Sequence, residues 1–266
     1  MNKKNKLGYV IAGFMALTAL LSLLVWADAS VPYGVRDITY IQSSRSNTSA
    51  YPPATMEAMA GNVTELTMNT ISTTRTWQGY FGNVSGVITL EDANGNVFYN
   101  WTAAEAQGEI FASVNDSVAW ASIVCFNWTG QAIDLSTEEA RYGLAANTPD
   151  GIDETYANAG LDSDIFIGNI NVTAQSANDN VTCHTTNPFQ YGSQNSNTDN
   201  FENFLLTDGS GALVFATVLE NDDFNHVSDI IGYDNQPHDF QMLVAENGHN
   251  SFEDTTTTYY FWAEVE

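Results

Sequence analysis

The sequence predicts an all-β fold, on three observations. Residues 87–101 read as a β-hairpin. A second stretch near residue 210 repeats its spacing. Short β-prone runs, rich in Val, Ile, Thr and aromatic residues, recur between Gly, Asn, Asp and Ser turn signals over most of the chain. The expected architecture is two linked antiparallel β-sandwich-like units after an N-terminal hydrophobic helix, with one short helix between the units. The expected segments are a signal peptide or transmembrane anchor (1–29), an extended polar stalk (30–60), a first β unit (61–147) and a second (148–266).

In the hairpin, Val87, Thr89 and Glu91 alternate with Ile88, Leu90 and Asp92, the period of two that a strand imposes. Asn94-Gly95 suits the positive φ angles of a two-residue turn, and 97–101 is the return strand. In the second stretch Leu206, Asp208, Gly211, Leu213 and Phe215 stand at the spacing of Leu90, Asp92, Gly95, Val97 and Tyr99.

At the N-terminus, Lys3, Lys4 and Lys6 precede an uncharged apolar run from Leu7 to Trp26, and Ala27-Asp28-Ala29 follows as an A-x-A pattern. This is the layout of a secretory signal. The run is also long enough to span a bilayer, and its lysines would hold the N-terminus in the cytoplasm. Both readings export the rest and place the protein outside the cell or on its surface. The membrane is a partner if the helix stays uncleaved. A pilin-type leader is a third reading, against which Leu7 stands between Lys6 and Gly8.

Residues 30–55 are polar, with Pro52-Pro53 favouring extended backbone. They suit a stalk, or a strand offered to a neighbouring subunit; 36–41 reads as one short strand. Strands are expected at 63–68, 109–114 and 118–126. Ser136-Thr-Glu-Glu139 has the form of a capping box with Ser136 as N-cap, which predicts a helix over 137–145. Further strands are expected at 166–173, 181–183, 201–206, 213–219, 239–244 and 255–265.

Past residue 29 only Arg36, Arg45, Arg75 and Arg141 are basic, and the whole chain carries a net charge of −25. Such a surface repels nucleic acid and anionic lipid, keeps a protein soluble in strong salt, and attracts divalent cations. The most site-like acidic loop holds Asp150, Asp153, Asp162 and Asp164 around Gly151. Clustered oxygen ligands with a turn-permitting glycine suit calcium, although the EF-hand spacing is absent. No other cofactor is expected.

Two cysteines in an exported chain, Cys125 and Cys183, suggest one disulfide. A bridge of this span is worth roughly 4 kcal/mol in a chain-entropy account. Asn-x-Ser/Thr sites for N-linked glycans stand at Asn47, Asn62, Asn83, Asn100, Asn115, Asn127, Asn171 and Asn180.

Catalytic signatures are absent from the sequence. Gly82-Asn-Val-Ser85-Gly86 has the wrong spacing for a nucleophile elbow. No phosphate-binding loop or dinucleotide fingerprint occurs, and His184, His226, His238 and His249 form no zinc-ligand spacing. Trp77, Trp101 and Trp120 lie on expected strands, where packing in the core or at its rim is the ordinary role.

The run 76–86 continued to Trp101, with 108–113 and the Trp120 to Cys125 segment, resembles uncharacterised secreted proteins of archaeal genomes. Residues 150–155, 239–244 and 259–264 fit the same type, so the likeness covers 61–266. It implies export and an archaeal cell surface. It transfers no activity and no site residues.

The reading is an acidic, N-glycosylated archaeal surface protein with a structural or adhesive role and no catalysis. The alternatives are a subunit of an extracellular filament that self-assembles with identical copies, through its N-terminal helices or by strand donation, and a secreted carbohydrate-binding or carbohydrate-active protein.

Overall fold

The computed structural model describes residues 32–44, 55–69, 73–74, 76–102, 108–128, 134–159, 164–178, 181–191, 193–194, 200–209, 213–220, 230–246 and 256–264. The apolar run Leu7 to Trp26 lies outside them. No helix among the described residues is long and apolar enough to cross a membrane.

The strands are β1 (Tyr33–Gly34), β2 (Trp77–Gly82), β3 (Val87–Glu91), β4 (Val97–Thr102), β5 (Glu109–Ser113), β6 (Val124–Cys125), β7 (Asn158–Ala159) and β8 (Phe166–Ile167). They continue as β9 (Ile170–Asn171), β10 (His184–Thr186), β11 (Phe189–Gln190), β12 (Ser193–Gln194), β13 (Asn203–Thr207), β14 (Leu213–Val218), β15 (Phe240–Ala245) and β16 (Tyr260–Ala263). Among the described residues three short helices join them, α1 (Leu135–Arg141), α2 (Ile152–Thr155) and α3 (Val172–Asn178), with a 3-10 turn at Trp120–Ser122. The fold is mostly β, and its strand pairs are antiparallel.

The main sheet runs β1-β16-β5-β14-β13-β10-β7, with β6 also paired to β13. This sheet does not divide at residue 147. β5, from the expected first unit, lies between β14 and β16 from the expected second. The physical reason is that β5, β13 and β14 are apolar on both faces, so each needs cover above and below. Ile110, Ala112, Leu205, Leu213 and Phe215 enter one buried cluster. Phe111, Phe204, Leu206, Val214 and Ala216 enter the other.

The first face is covered by a two-stranded ribbon of β2 and β15 and by Tyr142, Ile152 and Tyr156 beside α1 and α2. Buried Asn203 fastens this ribbon to the sheet. Its Nδ2 donates to the carbonyls of Phe201 and Gln241, both at 2.8 Å, and its Oδ1 accepts from Leu243 N at 2.7 Å. The second face is covered by Ile165, Ile167, Val172 and the Cys125–Cys183 disulfide. β10 and β6 lie one after the other along the same edge of β13, and the disulfide joins Cys125 of β6 to Cys183, the residue before β10, across 58 residues of sequence.

Both expected hairpins form, β3–β4 and β13–β14. In the first, the turn departs from the two-residue form. Asp92 N donates to Asn96 O, Gly95 N to Asp92 O, and only Gly95 (φ +80) takes a positive φ, while the register shifts beside Leu90. This is the longer loop that ends in a left-handed glycine and a bulge.

Several expectations shift. The N-cap of α1 is Asp134, whose Oδ1 accepts from Thr137 N at 2.8 Å; Ser136 only donates to the same oxygen. The helix therefore starts earlier than 137 and ends at Arg141. Residues 166–173 form the β8–β9 hairpin and the first turn of α3 instead of one strand, because Gly168 (φ +55) reverses the chain and Asn171 caps the helix through Ala174 N. The stretch 118–126 bends through the 3-10 turn before β6. Residues 36–41 and 63–68 are exposed and form no strand, whereas β1, upstream, pairs with β16. The start of the expected stalk is thus docked on the sheet edge.

Candidate functional site

The richest chemistry lies where α1 turns into α2. Tyr142, at the C-cap of α1, and Ile152, which opens α2, are buried in the core. Between them the chain turns at Thr148–Gly151, closed by Gly151 N donating to Thr148 O at 2.9 Å. The turn is held from outside by the start of β2 and the residues before it: Thr76 Oγ1 donates to Asp150 Oδ2 at 3.0 Å and Trp77 Nε1 to Asp150 O at 2.9 Å, with Thr74 on the same carboxylate.

Fixing both helices this way buries two adjacent glutamates, Glu138 and Glu139. Glu138 pairs with Arg141 at 3.2 Å, and burial nonetheless raises its pKa. Glu139 faces α2, where one oxygen each of Glu139, Asp153 and Glu154 lies within 4.8 Å of the others. Glu139 is 4% exposed, and its Oε1 has no hydrogen-bond partner; the same holds for Asp153 Oδ1 and Thr148 Oγ1. Burial, then the Asp153 charge, raise the Glu139 pKa, against the Ile152 N–H. Glu154 is exposed, and a hydrogen bond with Asp153, followed by slight desolvation, raises its pKa. Beyond this cluster His184 stacks on Trp128, ring centroids 3.9 Å apart, and burial lowers its pKa.

Of the four expected calcium ligands, the structure brings Asp153 into this cluster. Asp150 is turned to Thr74 and Thr76, Asp164 is exposed, and Asp162 lies outside the described residues. Sequence reasoning missed Glu139 because it read that residue as the reciprocal half of a capping box. With Asp134 as the cap, Glu139 falls two residues past the position that can reach back to the helix start. Asp134 standing before Leu135 was the signal that could have corrected this.

A second feature is the β3–β4 ribbon. It pairs with no other strand among the described residues, and it displays Phe98 (83% exposed), Tyr99 and Trp101, the last two in ring contact at 4.9 Å. Trp101 is therefore a surface residue, while Trp77 packs against the core and Trp120 against Phe111 and Trp262. Among the glycan acceptors, Asn62, Asn83 and Asn100 are exposed and Asn115, Asn127 and Asn171 half-buried; Asn47 and Asn180 lie outside the described residues. The side chain of Asn115 is tied into a local turn with Ser117, and that of Asn171 caps α3.

Comparison with protein-family models, with curated proteins and with solved structures finds no match to this chain.

Proposed function

We propose that this is an exported, acidic archaeal cell-surface glycoprotein with a structural or adhesive role and no catalysis. The observation that carries the reading is the β3–β4 ribbon. Two strands with both faces in water bury too little to stabilise themselves. A run of large aromatic side chains exposed there matches a surface kept for contact more than for folding. The Cys125–Cys183 disulfide supports export, since such bonds persist in oxidising compartments. Exposed Asn62, Asn83 and Asn100 leave room for glycans, and the net charge of −25 suits a soluble, repelling outer surface.

A second reading, a subunit that assembles with copies of itself, is favoured by residues 55–69. They run exposed, without a strand partner among the described residues, and carry Val63, Leu66 and Met68 in water. Such a segment suits addition to a neighbour's sheet edge.

Peptide mass spectrometry of the protein taken from its native cells tests the proposal. It predicts a mature chain beginning near Ser30 or an intact membrane-anchored one, an oxidised Cys125–Cys183 peptide, and sugar on at least one of Asn62, Asn83 and Asn100. A start at Gly8 or Tyr9 favours the filament reading. Bare asparagines with free thiols, found in a cytoplasmic fraction, would overturn both.

A further inference from the structure

We propose that Glu139, Asp153 and Glu154 hold a single calcium ion that ties α1 to α2. The acidic cluster alone would not carry this, since exposed acidic groups are common on this chain. Three further features do.

The first is Glu139 itself. A carboxylate removed from water is costly unless it is paired. Glu139 is 4% exposed and its Oε1 finds no donor, while its neighbour Glu138 has Arg141. The charges acting on Glu139 and Glu154 are those of other carboxylates. A cation in the middle supplies the missing partner for Glu139 Oε1 and Asp153 Oδ1, with the exposed Glu154 as third ligand.

The second is Gly151. A Cβ built there would meet Glu139 Oε1 at 3.0 Å and Thr148 O at 3.1 Å, with Glu154 Oε2 closer still. Oxygens of both helices and of the turn thus converge on the one residue that has no side chain to obstruct them.

The third is scale. Calcium holds oxygens at about 2.3–2.6 Å, so two ligands of one ion stand up to about 5 Å apart. The 4.8 Å limit on the three carboxylate oxygens fits that span. The donors are carboxylates, with the Thr148 carbonyl beside them. All are hard oxygen ligands, which select calcium or magnesium over softer metals. The spread favours calcium, which accepts irregular geometry, over magnesium, which demands a tight octahedron. The site differs from the loop read in the sequence: it draws on α1, and it leaves out Asp150 and Asp164.

The test uses the full chain, stripped with a chelator and titrated with calcium chloride in a calorimeter at an ionic strength that screens diffuse surface binding. One calcium per chain is expected, with a rise in melting temperature. Glu139→Gln and Asp153→Asn should each weaken binding by at least about tenfold, and Glu65→Gln, a loss of charge at an exposed site, should leave it unchanged. Without calcium, Glu139→Gln should melt at or above the unsubstituted protein, because it removes a buried charge; with calcium the order should reverse. Failure of the unsubstituted chain to bind saturably at millimolar calcium overturns the proposal whatever the variants do. So does undiminished binding by Asp153→Asn. A higher melting temperature for Glu139→Gln that persists in calcium would mean that the cluster shares a proton and holds no ion. None of these results bears on whether the protein is exported.

Discussion

The β3–β4 and β13–β14 hairpins carry residues at matched spacing and end in opposite places. Leu213 and Phe215 are fully buried, whereas their counterparts Val97 and Tyr99 are 53% and 55% exposed. An Asp stands before each loop, and Gly95 and Gly209 take positive φ, though at different places in the matched spacing. The difference lies in the second face of each strand. β13 and β14 present Phe204, Leu206, Val214 and Ala216 on the side away from Leu205 and Phe215, so both faces have something to bury. β3 and β4 interpose Thr89, Glu91 and Asn100. Local pairing therefore makes a hairpin, and a second apolar face recruits it into a sheet.

The largest separation between the two should come from truncating the paired positions. Phe215 touches Trp77, Tyr142, Tyr156 and Tyr259, so Phe215→Ala should cost about 3–5 kcal/mol in denaturant unfolding. Tyr99→Ala should cost less than about 1 kcal/mol, since its side chain is largely in water and its ring contact is with Trp101. Equal costs would dissolve the contrast.

Next comes the disulfide, which lies in the core beside the β13–β14 hairpin and the 172–178 helix. Replacing Cys125 and Cys183 together by alanine should lower global stability by roughly 2–5 kcal/mol. Chemical shifts of β3 and β4 should not move. A shift there would show that the ribbon leans on the sheet after all.

The proposed contact surface gives a smaller, functional effect. Phe98→Ser with Trp101→Ser should leave the melting temperature within a few degrees, a change of under about 1 kcal/mol. It should reduce retention of the protein on native cell envelopes. Retention equal to that of the unsubstituted chain would contradict an adhesive ribbon.

Acid gives the smallest effect and opposite signs in two regions. Hydrogen bonds from Asn96 and Asn94 hold the Asp92 carboxyl down, from 3.8 to about 2. Its support for the ribbon turn is therefore complete above the unfolded value and fades as pH falls towards about 2. Glu138, Glu139 and Glu154 are raised above 4.5, so the folded state there binds extra protons. In chelator, stability from these groups is fullest below 4.5 and declines as pH rises through their raised values. Following the ribbon by its backbone shifts and the helix pair by melting temperature separates the two windows.

Much of the β content was legible in the sequence, and the reason is local. Both hairpins, β5 and β15 announce themselves by runs of β-branched and aromatic residues between turns. The disulfide was legible from a cysteine count. What could not be read was partnership. Nothing in 109–113 says that it lies between 213–218 and 260–263, because strands buried on both faces lose the alternation that marks a side. The exposed stretch 63–68 shows the converse: it alternates well and finds no strand here. At the site, Asp153 stood out beside Gly151, but Glu139 was hidden by the capping-box pattern. Its burial depends on Tyr142 and Ile152 packing together, which only the fold supplies.

The most direct test of a displayed ribbon is amide hydrogen exchange, compared between the purified protein and the protein on its native envelope. The account predicts rapid exchange across β3 and β4 in isolation and slow exchange on the envelope, with β13 and β14 slow in both. Exchange in the ribbon that is already slow in the isolated chain, or that stays rapid on the envelope, would contradict it.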